Sequence, residues 1–123
     1  MIERDLVAAI SPLVGGRVFP DTAPAATPRP FVIYQQVGGR PSVVLAGNTR
    51  RANARFQFTV WCEPQPTGGG RAQASTLMRA IEAALSGAPL RGVSQGGLAA
   101  TYDEATRTYG ARWDCSFWHD AQG

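Results

Sequence analysis

Between Ala54 and Cys62 the sequence reads A-R-F-Q-F-T-V-W-C, so that Phe56, Phe58, Val60 and Cys62 alternate with Arg55, Gln57, Thr59 and Trp61. Alternation at period two over this length is the pattern of a half-buried strand. Its side chains point to opposite faces of a pleated sheet, and the apolar face must be covered by a helix or a second sheet. The rest of the chain reads as strands that pair with this one or as helices that cover it.

A second alternating stretch closes the chain. From Thr106 to Trp118, Tyr109, Ala111, Trp113, Cys115 and Phe117 alternate with Thr108, Gly110, Arg112, Asp114, Ser116 and Trp118. Pro30–Val37 reads as a further strand, with Phe31, Ile33 and Val37 on one face and Val32, Tyr34 and Gln36 on the other. Arg17–Phe19 and Leu98–Asp103 read as shorter strands, and His119–Gly123 as a polar tail.

Two stretches carry helical spacing instead. Ile2, Leu6, Ala9, Ile10 and Leu13 form an amphipathic stripe ended by Gly15-Gly16, with Pro12 distorting the last turn or stopping the helix near Ile10. Ala74, Leu77, Met78, Ile81, Ala84 and Leu85 form a second stripe, predicting a helix from about Arg71 to Ser86 that covers Phe56, Phe58 and Val60. The expected architecture is α+β: one mainly antiparallel β-sheet packed against two α-helices, in a single domain spanning residues 1–123. Trp61 and Trp118 fall on the sheet face away from the second helix. Cover by the N-terminal helix is the first reading for them, and a contact surface is the second.

Two connections are longer than the fold requires. Pro20–Pro30 is dense in Pro, Ala and Thr, a composition that resists regular structure yet holds a defined path. Gly38–Asn53 joins two strands expected to pair antiparallel, and such length beyond what a hairpin needs marks it as a long β-hairpin contact arm. The arm and its base hold the densest basic group, Arg40, Arg50, Arg51 and Arg55. A solvated hairpin edge and a contact surface account for this group equally well.

Composition narrows the chemistry. All twelve basic residues are Arg, against nine acids, for a formal charge of +3. That is too small and too dispersed an excess for a dedicated nucleic-acid binder. The N-terminus places acids before a short apolar run, unlike a signal peptide, and no run reaches membrane-spanning length, so a soluble cytosolic product is expected. Cys62 and Cys115 lie in strand-like segments and read as reduced, core-packed thiols, although adjacent strands could bring them within bridging reach.

One His, two separated Cys and scattered acids assemble no metal site, and no cofactor motif is present. Gly68-Gly69-Gly70-Arg71 before a helix has the look of an anion site but lacks the Lys-Ser/Thr of a phosphate loop, so a hinge is the expected role. Gly92-Val93-Ser94-Gln95-Gly96 fits a nucleophile elbow, with Asp103 and His119 following in hydrolase order. That motif needs a strand before it and a helix after it. Here Ser86-Gly87-Ala88-Pro89 precedes and Gly97 follows, so no enzyme is expected.

Four segments, taken in order, carry a resemblance to a known family. They are Arg17–Asp21 with Ala23-Pro24, Pro30–Gln36, Arg55-Phe56-Gln57 with Val60-Trp61, and Tyr102-Asp103 with Arg112–Asp114 through Trp118-His119. Together they resemble the phage tail-completion, or tail-terminator, proteins of long-tailed phages, prophages and gene-transfer particles. The resemblance implies a non-enzymatic ring subunit, in a hexamer, at the head-proximal end of the virion tail and assembled in the host cytoplasm. It implies contacts with other copies, with the major tail tube protein and with the head–tail connector. Genomic DNA would pass through the ring without sequence-specific binding, and no membrane would be involved. The residues expected at the assembly interface are Arg40, Asn48, Arg50, Arg51, Arg55, Trp61 and Trp118. The alternative from another class is a free-standing basic nucleic-acid-binding domain using Arg40, Arg50, Arg51 and Arg55.

Overall fold

The computed structural model describes residues 2–44, 50–63 and 70–120. The alternating stretch is the middle of a longer strand, β3 (Arg50–Cys62), with β2 (Phe31–Val44) on one side and β6 (Thr108–Asp120) on the other, both antiparallel. The short strand β1 (Val18–Pro20) runs parallel to β2 at one edge. At the opposite edge β4 (Val93–Ser94) and β5 (Ala99–Asp103) both pair antiparallel with β6, giving a six-stranded mixed sheet. The helices are α1 (Ile2–Ile10) and α2 (Gly70–Ser86), and the class is α+β. None of the described helices is long and apolar enough to cross a membrane.

Alternation sorts the strands as the sequence predicts. Ala54, Phe56, Phe58, Val60 and Cys62 of β3 and Ala111, Trp113, Cys115 and Phe117 of β6 are buried together with Ala74, Met78, Ile81 and Leu85 of α2. Phe58 stacks on Trp113 with ring centroids 6.0 Å apart, and Phe117 meets Phe56 and Phe58 edge-on. Removing one of these fully buried rings costs about 3–5 kcal/mol, so this cluster alone can decide whether the domain folds.

The placement of α1 differs from expectation. Leu6 and Ile10 are buried in the same core as α2, beside Val32 and Tyr34. The phenol of Tyr34 titrates above its usual range because it is buried and because Glu3 of α1 lies against it. Both helices therefore cover one face of the sheet, and α1 does not shield Trp61 or Trp118 on the other. The helix ends at Ile10, and a single 3-10 turn, Ser11–Leu13, takes up Pro12.

Two further expectations are corrected by register. Most of the Gly38–Asn53 connection is ladder, with pairing running out to Val44 opposite Arg50. His119 and Asp120, expected in a tail, continue β6 opposite Ala52 and Arg51. The ladder passes Gly38-Gly39 because register shifts fall between Gln36 and Gly38 and again between Arg40 and Val43. Gly39 has φ 147°, and a Cβ there would run into the carbonyl oxygen of Asn53 and lie 3.1 Å from Ala54 Cα. Only glycine fits such a close approach of two backbones. Residues 45–49 lie outside the described residues.

The cysteines do not meet. Cys115 sits opposite Phe56 and Cys62 opposite Tyr109, six residue steps apart along the ladder and so separated by roughly 20 Å, well beyond bridging range. Both are buried free thiols. Burial first, then Glu63, pushes Cys62 up to about 11. Burial first, then Glu82, pushes Cys115 up to about 12.

An unfolded chain ionises its thiols from about pH 9, whereas the folded chain keeps both protonated. The folded state therefore loses thiol-linked stability as pH rises from about 9 towards 12, which urea midpoints taken across that range would record. A thiol reagent at pH 8 should label neither cysteine in native protein and both after denaturation. Gly39→Ala should lower stability by about 1–3 kcal/mol. Gly38→Ala, with open space around its Cβ and no positive φ, should be close to neutral in the same melts.

Candidate assembly surface

With both helices on one side, the opposite face of the sheet belongs to the side chains that alternate away from the core. Across β2, β3 and β6 these form rows fixed by register. Phe31, Trp61 and Gly110 make one row, Ile33, Thr59 and Arg112 the next, then Gln35, Gln57 and Asp114. Gly38, Arg55 and Ser116 follow, and Asn53 and Trp118 lie beyond them. The middle is polar and the aromatics stand at the two ends.

The ends are treated differently. At the Phe31 end, the loop after β1 folds back over the sheet. Phe19 packs edge-on against Phe31 at 6.5 Å and the Arg29 guanidinium lies 5.7 Å from the Phe31 ring centroid. Phe31, although on this face, is only 8% exposed. Trp61 is half-buried and lies over Gly110, where a Cβ would come 3.0 Å from Trp61 Cε3 and 2.7 Å from the Val60 carbonyl oxygen. The Pro20–Pro30 loop thus lies on its own sheet.

At the other end Trp118 is 42% and Val93 55% exposed. Together with Gly39, Asn53, Arg55 and Gln95 they border a concave depression of about 460 Å³. Its polar floor is internally bonded. Arg55 Nη2 donates to Asp114 Oδ2 at 2.9 Å, Gln95 Nε2 donates to Ser116 Oγ at 3.0 Å, and Asn53 Nδ2 donates to the Phe117 carbonyl at 3.4 Å. The Arg55–Asp114 pair is partly exposed and contributes little to stability, but it ties the guanidinium to the neighbouring strand.

Of the residues expected at an interface, Arg55 and Trp118 therefore share one depression. Trp61 stands at the far end of the same face, eight residues along β6 from Trp118 by its partner Gly110, or about 27 Å. Arg40, Arg50 and Arg51 occupy ladder positions in the arm, their side chains lying outside the described residues, as does Asn48 altogether. Reading the sequence missed Val93, Gln95 and Asp114. Asp114 has a signal in retrospect, since its alternation places it on the face that carries Arg55.

No hydrolytic site assembles at Ser94. Its strand has two residues and leads into a bend, with no helix after it. The Ser94 hydroxyl donates to the Gly96 carbonyl at 2.6 Å and accepts the indole N–H of buried Trp113 at 2.9 Å. Asp103 pairs with Thr108 and His119 with Ala52, so the two stand eleven steps apart along β6, about 35 Å. Among the described residues no three of His, Cys, Asp or Glu gather as metal ligands. Residues 68 and 69 of the glycine run lie outside the described residues, and α2 begins at Gly70.

Ser94 consequently matters for stability. Ser94→Ala should strand the buried Trp113 N–H and cost about 1–3 kcal/mol in a denaturant melt. Hydrolysis of a short acyl ester by wild type and variant should be equal to that of denatured protein.

Comparison with known proteins bears on what such a surface serves. The fold matches a chain in a structure described as the virion of a native gene transfer agent particle, with a TM-score of 0.62 and 19% identity over 96% of this chain and 91% of that one. At that identity the likeness is one of fold. No curated protein matches the sequence. The family model for tail completion protein gp17 matches residues 6–120, which takes in α2, all six strands and most of α1. On that match the chain belongs to the tail completion protein gp17 family, and its role lies in the assembly of a virion tail.

Proposed function

We propose that this chain is the subunit of a hexameric ring that caps the head-proximal end of the finished tail tube, stops further tube growth and forms part of the joint to the head. The observation that carries this reading is the one-sided fold. Both helices and the core lie on one face, while the opposite face ends in an uncovered Trp118–Val93 depression beside a hairpin that continues past the helices' cover. A ring subunit needs two different contact patches, because head-to-tail contacts close into a ring when the rotation permits. The other partners in this reading are the major tail tube protein and the head–tail connector, met during assembly in the host cytoplasm. DNA passes through the channel without sequence-specific contact, in keeping with a formal charge of only +3. Arg55, whose side chain is engaged by Asp114, lends no support to a free-standing nucleic-acid-binding domain.

Deletion of Gly39–Ala52 leaves Gly38 and its partner Arg55 joined by the two residues Asn53-Ala54, a length compatible with a hairpin turn. The shortened chain should remain folded by circular dichroism and should fail to attach to tails. Particles made without the protein should carry overlong tails or remain unjoined to capsids in electron micrographs. Tails of normal length on filled capsids in its absence would overturn the proposal.

A further inference from the structure

The loop between β1 and β2 is built to a shape. Asp21 N–H donates to the Tyr34 carbonyl at 2.9 Å, Thr22 N–H to the Pro20 carbonyl at 2.6 Å and Thr27 N–H to the Pro24 carbonyl at 3.3 Å. Asp21 and Ala26 adopt positive φ of 64° and 61°. Held this way, the loop walls a second cavity of about 290 Å³, lined by Pro24, Ala25, Thr27, Arg29, Phe31 and Ile33 among others. The walls mix small apolar side chains with polar groups and hold one cation. That cation, Arg29, is partly buried over the Phe31 ring and makes no ion pair among the described residues. An incoming carboxylate would pair with the exposed part of the guanidinium.

A suitable carboxylate stands at the opposite edge of the same sheet. The turn between β5 and β6 is pre-organised by Asp103, whose Oδ1 accepts the Ala105 N–H at 3.1 Å and whose Oδ2 accepts the Thr106 hydroxyl at 2.9 Å. Asp103 is thereby committed to the turn, and Glu104 is left exposed at its tip, with Arg107 farther along. Register puts the two features at the same end of the sheet. Phe31, Trp61, Gly110 and Thr101 share a row, with Arg29 two residues before Phe31, ahead of β2, and Glu104 three residues after Thr101, just past β5. The Arg29 cavity belongs to the β1–β2 edge and the Glu104 turn to the β5–β6 edge, which is the arrangement a head-to-tail contact between copies requires.

Resting on the ring reading above, we infer that the Arg29 cavity of one subunit receives the Glu104 turn of the next, with the Glu104 carboxylate on the Arg29 guanidinium.

Two experiments test this on full-length protein assembled on tail tubes. Arg29→Cys combined with Glu104→Cys should give, on mild oxidation, a ladder of covalent multimers. Either substitution alone should give none, and a mixture of the two single variants should stop at dimers. The native thiols do not interfere, since both are buried and protonated. Arg29→Glu and Glu104→Arg should each weaken ring formation about tenfold or more, because they juxtapose like charges, and the two together should restore it. Arg107→Ala should leave ring formation unchanged, and thermal melts of the monomers would show that every variant is folded. Rings that form normally without cross-linking would overturn this contact and leave the ring reading intact. Loss with Arg29→Glu but not with Glu104→Arg would also overturn it, assigning the cavity to an acid of a different protein. Failure of the unsubstituted protein to form rings would overturn both.

Discussion

Strand β3 is hydrogen-bonded along both sides, to β2 over Phe31–Val44 and to β6 over Tyr109–Asp120, and its even-numbered side chains from Ala54 to Cys62 are all buried. A strand so placed cannot slip. Moving its register by one residue would bury Arg55, Gln57 and Thr59 and expose Phe56, Phe58 and Val60, exchanging an aromatic cluster for unpaired polar groups. Every other element takes its position from that constraint. Helix α2 lies where Phe58, Trp113 and Phe117 need cover, α1 extends the cover over Tyr34, and the outer rows inherit their order from the same pairings.

That dependence also explains what can be read from residues alone. Alternation is a property of the strand itself, so the buried sets of β3 and β6 and the stripe of α2 were legible. Which face a helix covers is a property of the whole chain. The pattern in Ile2–Leu13 says that α1 buries one side, but nothing in it distinguishes the face already covered by α2 from the face carrying Trp61 and Trp118. Connections were misjudged for a related reason. Gly38-Gly39-Arg40-Pro41 has the composition of a break, yet the ladder absorbs it through two register shifts, and local propensity yields to pairing that continues on either side.

The surface was legible to the same degree. Arg55 and Trp118 lie where alternation sends them, and both border the open depression. Asp114, two residues from the direct partner of Arg55, is reached diagonally across the ladder, a relation visible only once register is known. The Ser94 motif shows the converse. Its spacing matches a catalytic pattern, but the hydroxyl is occupied as the acceptor for a core indole. Arg29 is the hardest case, since its environment is made by a loop folded onto the sheet and by Phe31, which any strand pattern would count as merely one more apolar residue.

The backbone contact at Gly39 has a wider consequence. Because the bend there is set by main-chain atoms of Gly39, Asn53 and Ala54, the direction in which the hairpin leaves the domain does not depend on the identity of the side chains farther out. Relatives could diversify the outer positions while the aim of the arm stays constant.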